Sequence, residues 1–352
     1  MARKPKSRPL LGLDIGSSAV KLVEIRRGKE GLEAAAGELR GLSPDVVVDG
    51  AIVDNLALAS TVAQMLKDTH VHNRSVATAV SGNSVIVKQV SMPAMSEEEL
   101  AESVEAEAAQ HIPFERSDVH LDYQILDIKD SGAMDVLLVA VKKDKIGNYT
   151  NALSMAGLSA VVMDHDPLAL ENCYEYNYEP GPDEIAALLN VGASVTNIVV
   201  TKGAIPLFTR DVSVGGNQYT DALQKEFHLS ADAAEMIKLG HINSDGIDEA
   251  QRLPVLQSVT KLIVLEVQKT FDFFRASANG QRIGKMYLSG GAAQTAGLKD
   301  TLHEEFGETV DYLDPFRRIG YAGGGPLAEA IQRDRPRFAV AVGLALRSFE
   351  DL

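Results

Sequence analysis

Leu10-Leu11-Gly12-Leu13-Asp14-Ile15-Gly16-Ser17-Ser18-Ala19-Val20-Lys21-Leu22-Val23-Glu24-Ile25 is the stretch on which the reading of this chain turns. An apolar run ends in an aspartate and a small-residue turn. A second run, with Val20 and Leu22 on one face, leads back, so the pattern predicts a β-hairpin with its turn at Gly16, Ser17 and Ser18. Glycine lets a backbone approach a ligand closely, and two hydroxyls with successive N–H groups can surround phosphate oxygens. Asp14 falls at the strand end, where a carboxylate can hold a hydrated Mg²⁺, and Lys21 offers a compact positive charge. The same residues suit any tight hairpin, so this stretch alone leaves both readings open.

Two further glycine-rich turns follow. Residues 186–199 repeat the arrangement: an apolar strand, Asn190, a turn with Gly192 and Ser194, then a returning strand that opens at Val195 and carries Thr196. Residues 286–298 read as a strand, the pair Gly290-Gly291, Ala292 and then a helix. Two similar hairpins followed by strand, glycine pair and helix resemble the phosphate-1, phosphate-2 and adenosine motifs of the actin-like ATPase superfamily, in that order and across almost the whole chain.

Bulk properties permit this. The 352 residues suffice for two domains or one two-lobed unit, and 45% hydrophobic with 24% charged residues is ordinary for a globular protein. The net charge of −15 argues against non-specific nucleic-acid binding. One cysteine, Cys173, excludes an internal disulfide and suits a reducing compartment. No apolar stretch is long enough to span a bilayer, and the basic start Met1–Arg8 lacks the apolar core of a signal peptide. His70 and His72 read as a solvated helix end, and no metal-ligand cluster stands out.

Leu32–Leu39 reads as a third strand, Asp54 as the cap of a helix, and Ser75–Val80 as a strand. Over 84–163 the predicted order is β-α-β-β-α-β, with a capping box at Ser96–Glu99, which reads as a small split-βαβ unit inserted in the first lobe. Asp166-Pro167 opens the next helix, where Asp166 is either a cap or a carboxylate facing the cleft. Glu179–Pro182 reads as a linker. Gly215, Gly216 and Asn217 start a helix whose free N–H groups could receive phosphate or ribose. Glu235 and Lys238 lie three apart on one helix face, a spacing that an exposed ion pair also explains.

Within the superfamily the chain resembles the PilM family of type IV pilus assembly proteins. The resemblance rests on Gly12–Ser18 with Lys21, Met92-Pro93 before a Glu-rich helix, Gln110–Phe114 leading to Asp122-Tyr123, Asp166–Ala169 and Val340–Ala345. It implies an α/β, two-lobed actin-like ATPase fold of ribonuclease-H-like type, with an inserted subdomain like that of FtsA. The implied division is 1–83 with 164–181 as first-lobe core, 84–163 as insertion, 182–214 with 281–352 as second-lobe core, and 215–280 as a helical subdomain. It also implies ATP with Mg²⁺ in the cleft. Asp14 would be the metal-side carboxylate, and Gly16, Ser17, Ser18, Lys21, Gly192, Ser194 and Thr196 would hold phosphate. Gly215, Gly216 and Asn217 would lie near phosphate or ribose, Glu235 and Lys238 at ribose and base, and Gly290, Gly291 and Ala292 under adenosine. Asp166 corresponds to a residue that orients the attacking water in some relatives. Asn190 stands where such enzymes commonly carry aspartate, so nucleotide binding is expected and at most slow hydrolysis. The family's partner is the cytoplasmic N-terminal segment of PilN, received in a groove beside the insertion, for which Val85–Val90 and helix 97–112 are the expected walls. Other pilus platform proteins are expected partners, at the cytoplasmic face of the inner membrane. An FtsA-like filament or a sugar-kinase-like enzyme is the alternative.

Overall fold

A computed structural model describes residues 9–240, 246–277 and 281–349. The basic start Met1–Arg8 and the last three residues lie outside them. The predicted hairpin is present: β1 (Leu11–Ile15) runs antiparallel to β2 (Ala19–Arg27), with Asp14 opposite Lys21. Nearly every residue of both strands up to Ile25 is buried, which is what an apolar run covered on two faces requires. β3 (Leu32–Gly41) extends the meander, and β4 (Val47–Val48) with β5 (Ala51–Ile52) forms a small corner. Helix α1 (Asn55–Asp68) starts where Asp54 accepts a hydrogen bond from the Ala57 N–H at 2.9 Å, the predicted cap. β6 (Ser75–Val80) then pairs parallel with β1.

β7 (Val85–Pro93), α2 (Glu97–His111), β8 (Val119–Ile128) and β9 (Ala133–Lys142) build the insertion. Its capping box at Ser96 and Glu99 forms as the spacing predicts. The split-βαβ reading needs correction. The insertion's sheet has three strands in the order β7-β9-β8, while α3 (Lys143–Met155) and β10 (Ser159–His165) return to the first lobe. There β10 pairs parallel with β6, and Tyr149, Ala152 and Leu153 of α3 share a core with Leu58, Val62 and Met65 of α1. Strand order along the chain does not say which sheet a strand joins. By this topology the insertion ends near Lys142, not at 163.

α4 (Asp166–Tyr178) leads into the second lobe, where β11 (Ile185–Val191), β12 (Thr196–Lys202) and β13 (Ile205–Val212) form an antiparallel meander. α5 (Gly216–Phe227), α6 (Ala231–Lys238) and α7 (Glu249–Ser277) cover it. β14 (Lys285–Ser289), α8 (Leu298–Phe306) and β15 (Thr309–Tyr312) complete the sheet, with β14 parallel to β11 and β15 parallel to β14. The two lobes repeat one topology: β3-β2-β1-β6-β10 in the first, β13-β12-β11-β14-β15 in the second.

The C-terminal segment corrects the division once more. β16 (Gly320–Tyr321) pairs with β3 of the first lobe, and after α9 (Pro326–Asp334) the wholly buried α10 (Ala339–Leu346) packs on β1 and α4. Residues 281–352 are therefore not all second-lobe core. One apolar cluster joins Val23 and Ile25 of β2, Cys173 and Tyr174 of α4, Leu188 and Val199 of the second sheet, and Ala341, Val342 and Ala345 of α10. The lobes thus share a core behind the crevice in which the strand ends meet. Among the described residues no helix is long and apolar enough to cross a membrane.

Candidate functional site

Ligands of open α/β sheets lie outside the carboxyl ends of the strands. Here the ends of β1, β11 and β14 come together, so the three glycine-rich turns, remote in sequence, line one narrow crevice. Its walls include Asp14, Gly16, Ser17, Ser18 and Lys21 from the first lobe, and Asn190, Gly192, Ser194, Gly290 and Gly291 from the second. Tight backbone geometry shapes each turn. The Gly16 N–H donates to Ala19 O at 3.1 Å and the Gly192 N–H to Val195 O at 3.0 Å, closing the two hairpins alike. Gly290 has φ +91°, and a Cβ there would stand 2.4 Å from Val191 O. Only glycine fits that close passage of β14 against β11.

Asp14 and Lys21 face each other across the first hairpin as an ion pair at 3.0 Å, both largely buried. Asp166 also lines the crevice and accepts a hydrogen bond from Ser81; helix α4 is capped at His165 without a side-chain acceptor, so of the two readings the cleft carboxylate holds. Burial, then the charge of Asp14, raises the Asp166 carboxyl to about 6, against a partial offset from the Ser81 hydrogen bond. A raised acid makes the folded state bind a proton more tightly than the unfolded chain. This group therefore destabilises the folded state fully above about pH 6, and the penalty fades as pH falls toward 4. Asp166→Asn should raise the stability of the nucleotide-free protein by about 3 kcal/mol at pH 7.5 and leave it nearly unchanged at pH 4. Thermal melts at the two pH values check this, and an equal shift at both would contradict the assigned cause.

The other expected site residues are placed differently. The N–H groups at the start of α5 are not free: Gly215 donates to the Gln218 side chain at 2.8 Å, Gly216 to Gly192 O at 2.8 Å and Asn217 to Ala193 O at 2.7 Å. They hold the second turn in shape instead of facing the crevice. Thr196 is buried, and its hydroxyl donates to Val214 O at 2.6 Å, a structural bond behind the same turn. Lys238 is buried and pairs with Glu235 at 2.5 Å, and its Nζ also reaches Gly216 O and Thr220. This pair sits beside Gly216, against which Ala292 also packs, one layer out from the glycine-rich turns. Helix α2 buries Leu100, Val104 and Ala108 against the insertion's own sheet, so these three residues face inward.

Three residues at or beside the crevice escaped the sequence reading. Arg337 lies against Gly291, and its buried Nε has no hydrogen-bond partner. A guanidinium with an unused buried donor beside phosphate-type turns suits an anion. Lys145 donates to Ser81 O at 2.5 Å and is held below the ordinary lysine range by burial, against the pull of Asp166, Asp211 and Asp144. Tyr149 donates to Gly50 O at 3.0 Å and lines the same wall. Each lies outside any glycine-rich pattern, so only its approach in space marks it.

The crevice measures about 60 Å³ in this conformation. Ligand pockets usually enclose several hundred Å³, so this conformation is narrower than a bound nucleotide would need. The donor set fits a magnesium nucleotide. Mg²⁺ is commonly held by one or two carboxylates with phosphate and water completing its shell, and Asp14 and Asp166 are the available carboxylates. Among the described residues no three acidic, histidine or cysteine side chains form a metal cage.

Comparison with known proteins bears on both fold and family. The pattern of the family described as type IV pilus assembly protein PilM matches residues 12–349. The cell division protein FtsA of Neisseria meningitidis serogroup B is 23% identical over 94% of this chain and 88% of its own length. A solved PilM-PilN type IV pilus biogenesis complex is similar over 98% of this chain and 99% of that one, at 29% identity and TM-score 0.87. MreB5 of Spiroplasma citri, solved bound to ADP, shares the fold over 99% of this chain and 97% of that one, at 14% identity and TM-score 0.55.

Proposed function

The chain belongs to the PilM family of type IV pilus assembly proteins, and from this premise we propose that it binds ATP with Mg²⁺ between its lobes and a partner's peptide beside its insertion. The observation that carries the proposal is the convergence of Gly16–Ser18, Gly192–Ser194 and Gly290-Gly291 on one crevice that also holds Asp14, Lys21 and Arg337. Ser17, Ser18 and Lys21 would bind phosphate from the first lobe and Gly192 with Ser194 from the second. Asp14 would anchor the metal, and Gly290 with Gly291 would pass under the nucleoside. Glu235 would reach toward ribose and base, held by its pair with the buried Lys238, with Ala292 and the Gly215–Asn217 start of α5 supporting the turns from behind. When bound, Mg²⁺ neutralises phosphate charge.

Hydrolysis would be slow at most. Asp166 would be the carboxylate that orients water, but Asn190 cannot accept a proton or bind metal as a carboxylate does. Its side-chain N–H already donates to Asn197 at 2.9 Å.

The partner would be the cytoplasmic N-terminal segment of PilN, since the similar solved chain is a PilM-PilN complex. The corner formed by β4, β5 and the start of α1 would receive this segment. Val48, Val53 and Leu56 are exposed there over the core that contains Val85 and Val139 at the base of the insertion. Other platform proteins would join through that partner, holding this chain at the cytoplasmic face of the inner membrane.

The test is a titration of the PilN segment against protein with and without MgATP. The lobes would part to admit nucleotide, so the two affinities should differ by about fivefold or more, a coupling of roughly 1 kcal/mol. Equal affinities would sink the nucleotide-gated reading. A Val53→Asp, Leu56→Asp variant should lose the segment while keeping nucleotide.

A further inference from the structure

A chain of side-chain hydrogen bonds leads out of the crevice to the turn that enters the insertion. Asn190, at the end of β11, donates to Asn197 Oδ1 at 2.9 Å. Asn197 in turn donates to Asp211 Oδ1 at 2.8 Å. The other carboxylate oxygen of Asp211 accepts from the backbone N–H of Gly82 and lies 3.4 Å from His165 Nε2, both in the first lobe. Asp211 thereby ties β13 of the second lobe to the Ser81-Gly82 turn directly before β7. That turn also bears on the β4–β5 corner: Ser81 O accepts from Lys145 and stands 3.7 Å from where a Cβ of Gly50 would lie.

The polarity of this chain is set at one end. A carboxylate only accepts, so Asp211 compels Asn197 to present its amide nitrogen to it and its oxygen to Asn190. Asn190 must then donate to Asn197, which turns its own oxygen toward Gly290, 2.7 Å from the position of a Cβ there. Asp211 therefore determines which end of the Asn190 amide faces the third turn, although it is remote from the glycine-rich motifs in sequence. It remains ionised in its buried setting: burial opposes the charge, but His165, Asn197 and the Gly82 N–H together hold its carboxyl below the ordinary aspartate range.

We infer that Asp211 is the positioning residue that transmits nucleotide occupancy to the partner surface, by the route Asn190–Asn197–Asp211–Gly82. Parting of the lobes would strain or break the Asp211–Gly82 bond, which frees the turn that supports both the insertion and the β4–β5 corner. The inference rests on the nucleotide-gated reading above and adds its physical route.

Asp211→Asn tests the route. An amide has one acceptor oxygen, so its nitrogen must face either the Gly82 N–H or the Asn197 amide, donor against donor, unless both amides turn over and reverse Asn190 in the crevice. The double variant Asn197→Asp/Asp211→Asn restores every bond of the route with the carboxylate moved one step. The carboxylate now at position 197 would accept from Asn190 and from the amide now at position 211, whose oxygen would accept from Gly82. The measurement is the ratio of PilN-segment affinities with and without MgATP, together with hydrogen exchange at the Gly82 amide. Asp211→Asn should bring the ratio to within about twofold of one and speed Gly82 exchange, and the swapped pair should recover both. A wild-type ratio of one refutes the nucleotide-gated reading itself. A wild-type ratio above one that survives in Asp211→Asn overturns the route alone. A ratio lost in the single variant and absent from a folded swapped pair also overturns it, since charge and not hydrogen-bond polarity would then be responsible.

Discussion

Gly343→Ala should destabilise the protein by about 3 kcal/mol, and Gly343→Val should leave little folded material. A Cβ at Gly343 would lie 1.7 Å from the carbonyl oxygen of Ala169 in α4, inside any tolerable contact. The helix cannot retreat, because on its other side a Cβ at Gly12 would meet Ala341 O at 2.1 Å, so β1 and α10 are also in backbone contact. α10 is buried at every residue and belongs to the core shared by both lobes. A shift of more than an ångström there would loosen α4, β1 and the second sheet together. Thermal melting measures the effect, with an expected loss of roughly 10 °C for alanine. Gly147→Ala serves as control: this glycine lies inside α3, a Cβ there meets nothing within 4 Å, and its helix propensity alone should make the variant slightly more stable. Comparable melting of Gly343→Ala and wild type would show that α4 and α10 are not locked as described.

Asp14→Ala should weaken MgATP binding by about 10- to 100-fold, the usual range for a charged hydrogen-bonding group of 1.5–3 kcal/mol. Its sign depends on the metal. Asp14 is paired with Lys21 at 3.0 Å, so a carboxylate that anchored the metal would also be the one that occupies the lysine. Without Mg²⁺ the substitution releases Lys21 toward phosphate, and affinity for free ATP should hold or rise. Calorimetry with Mg²⁺ and with a chelator separates the two effects: in wild type the metal should tighten binding, and in Asp14→Ala that advantage should vanish. Unchanged MgATP affinity would remove the assignment of this crevice as a nucleotide site. A parallel loss with and without metal would mean that Asp14 acts only as a partner for Lys21.

How much of this was readable from the residues depends on how local each feature is. The hairpin at Gly16–Ser18, the cap at Asp54, and the capping box at Ser96 and Glu99 each follow from a few neighbouring residues. Such features obey steric and hydrogen-bond rules that act within a turn or two. The resemblance to the PilM family likewise came from short motifs in a definite order. Failures began where a residue's role depends on what arrives from elsewhere. The α5 N–H groups looked available until the second turn supplied carbonyls to take them. Thr196 looked like a phosphate ligand until Val214 came to lie over it. β10 looked like the last strand of the insertion because only pairing with β6 reveals its sheet.

Alternation, spacing and turn chemistry thus determined the elements and the kinship of this protein, since the chain's own periodicity selects helix or strand and glycine marks where backbones must meet. Tertiary structure alone decided which remote groups meet in and beside the crevice: Arg337 against Gly291, Asp166 near Asp14, and Asp211 joined to Gly82. Those encounters arise from the packing of sheets and helices far apart in sequence, and no local pattern encodes them.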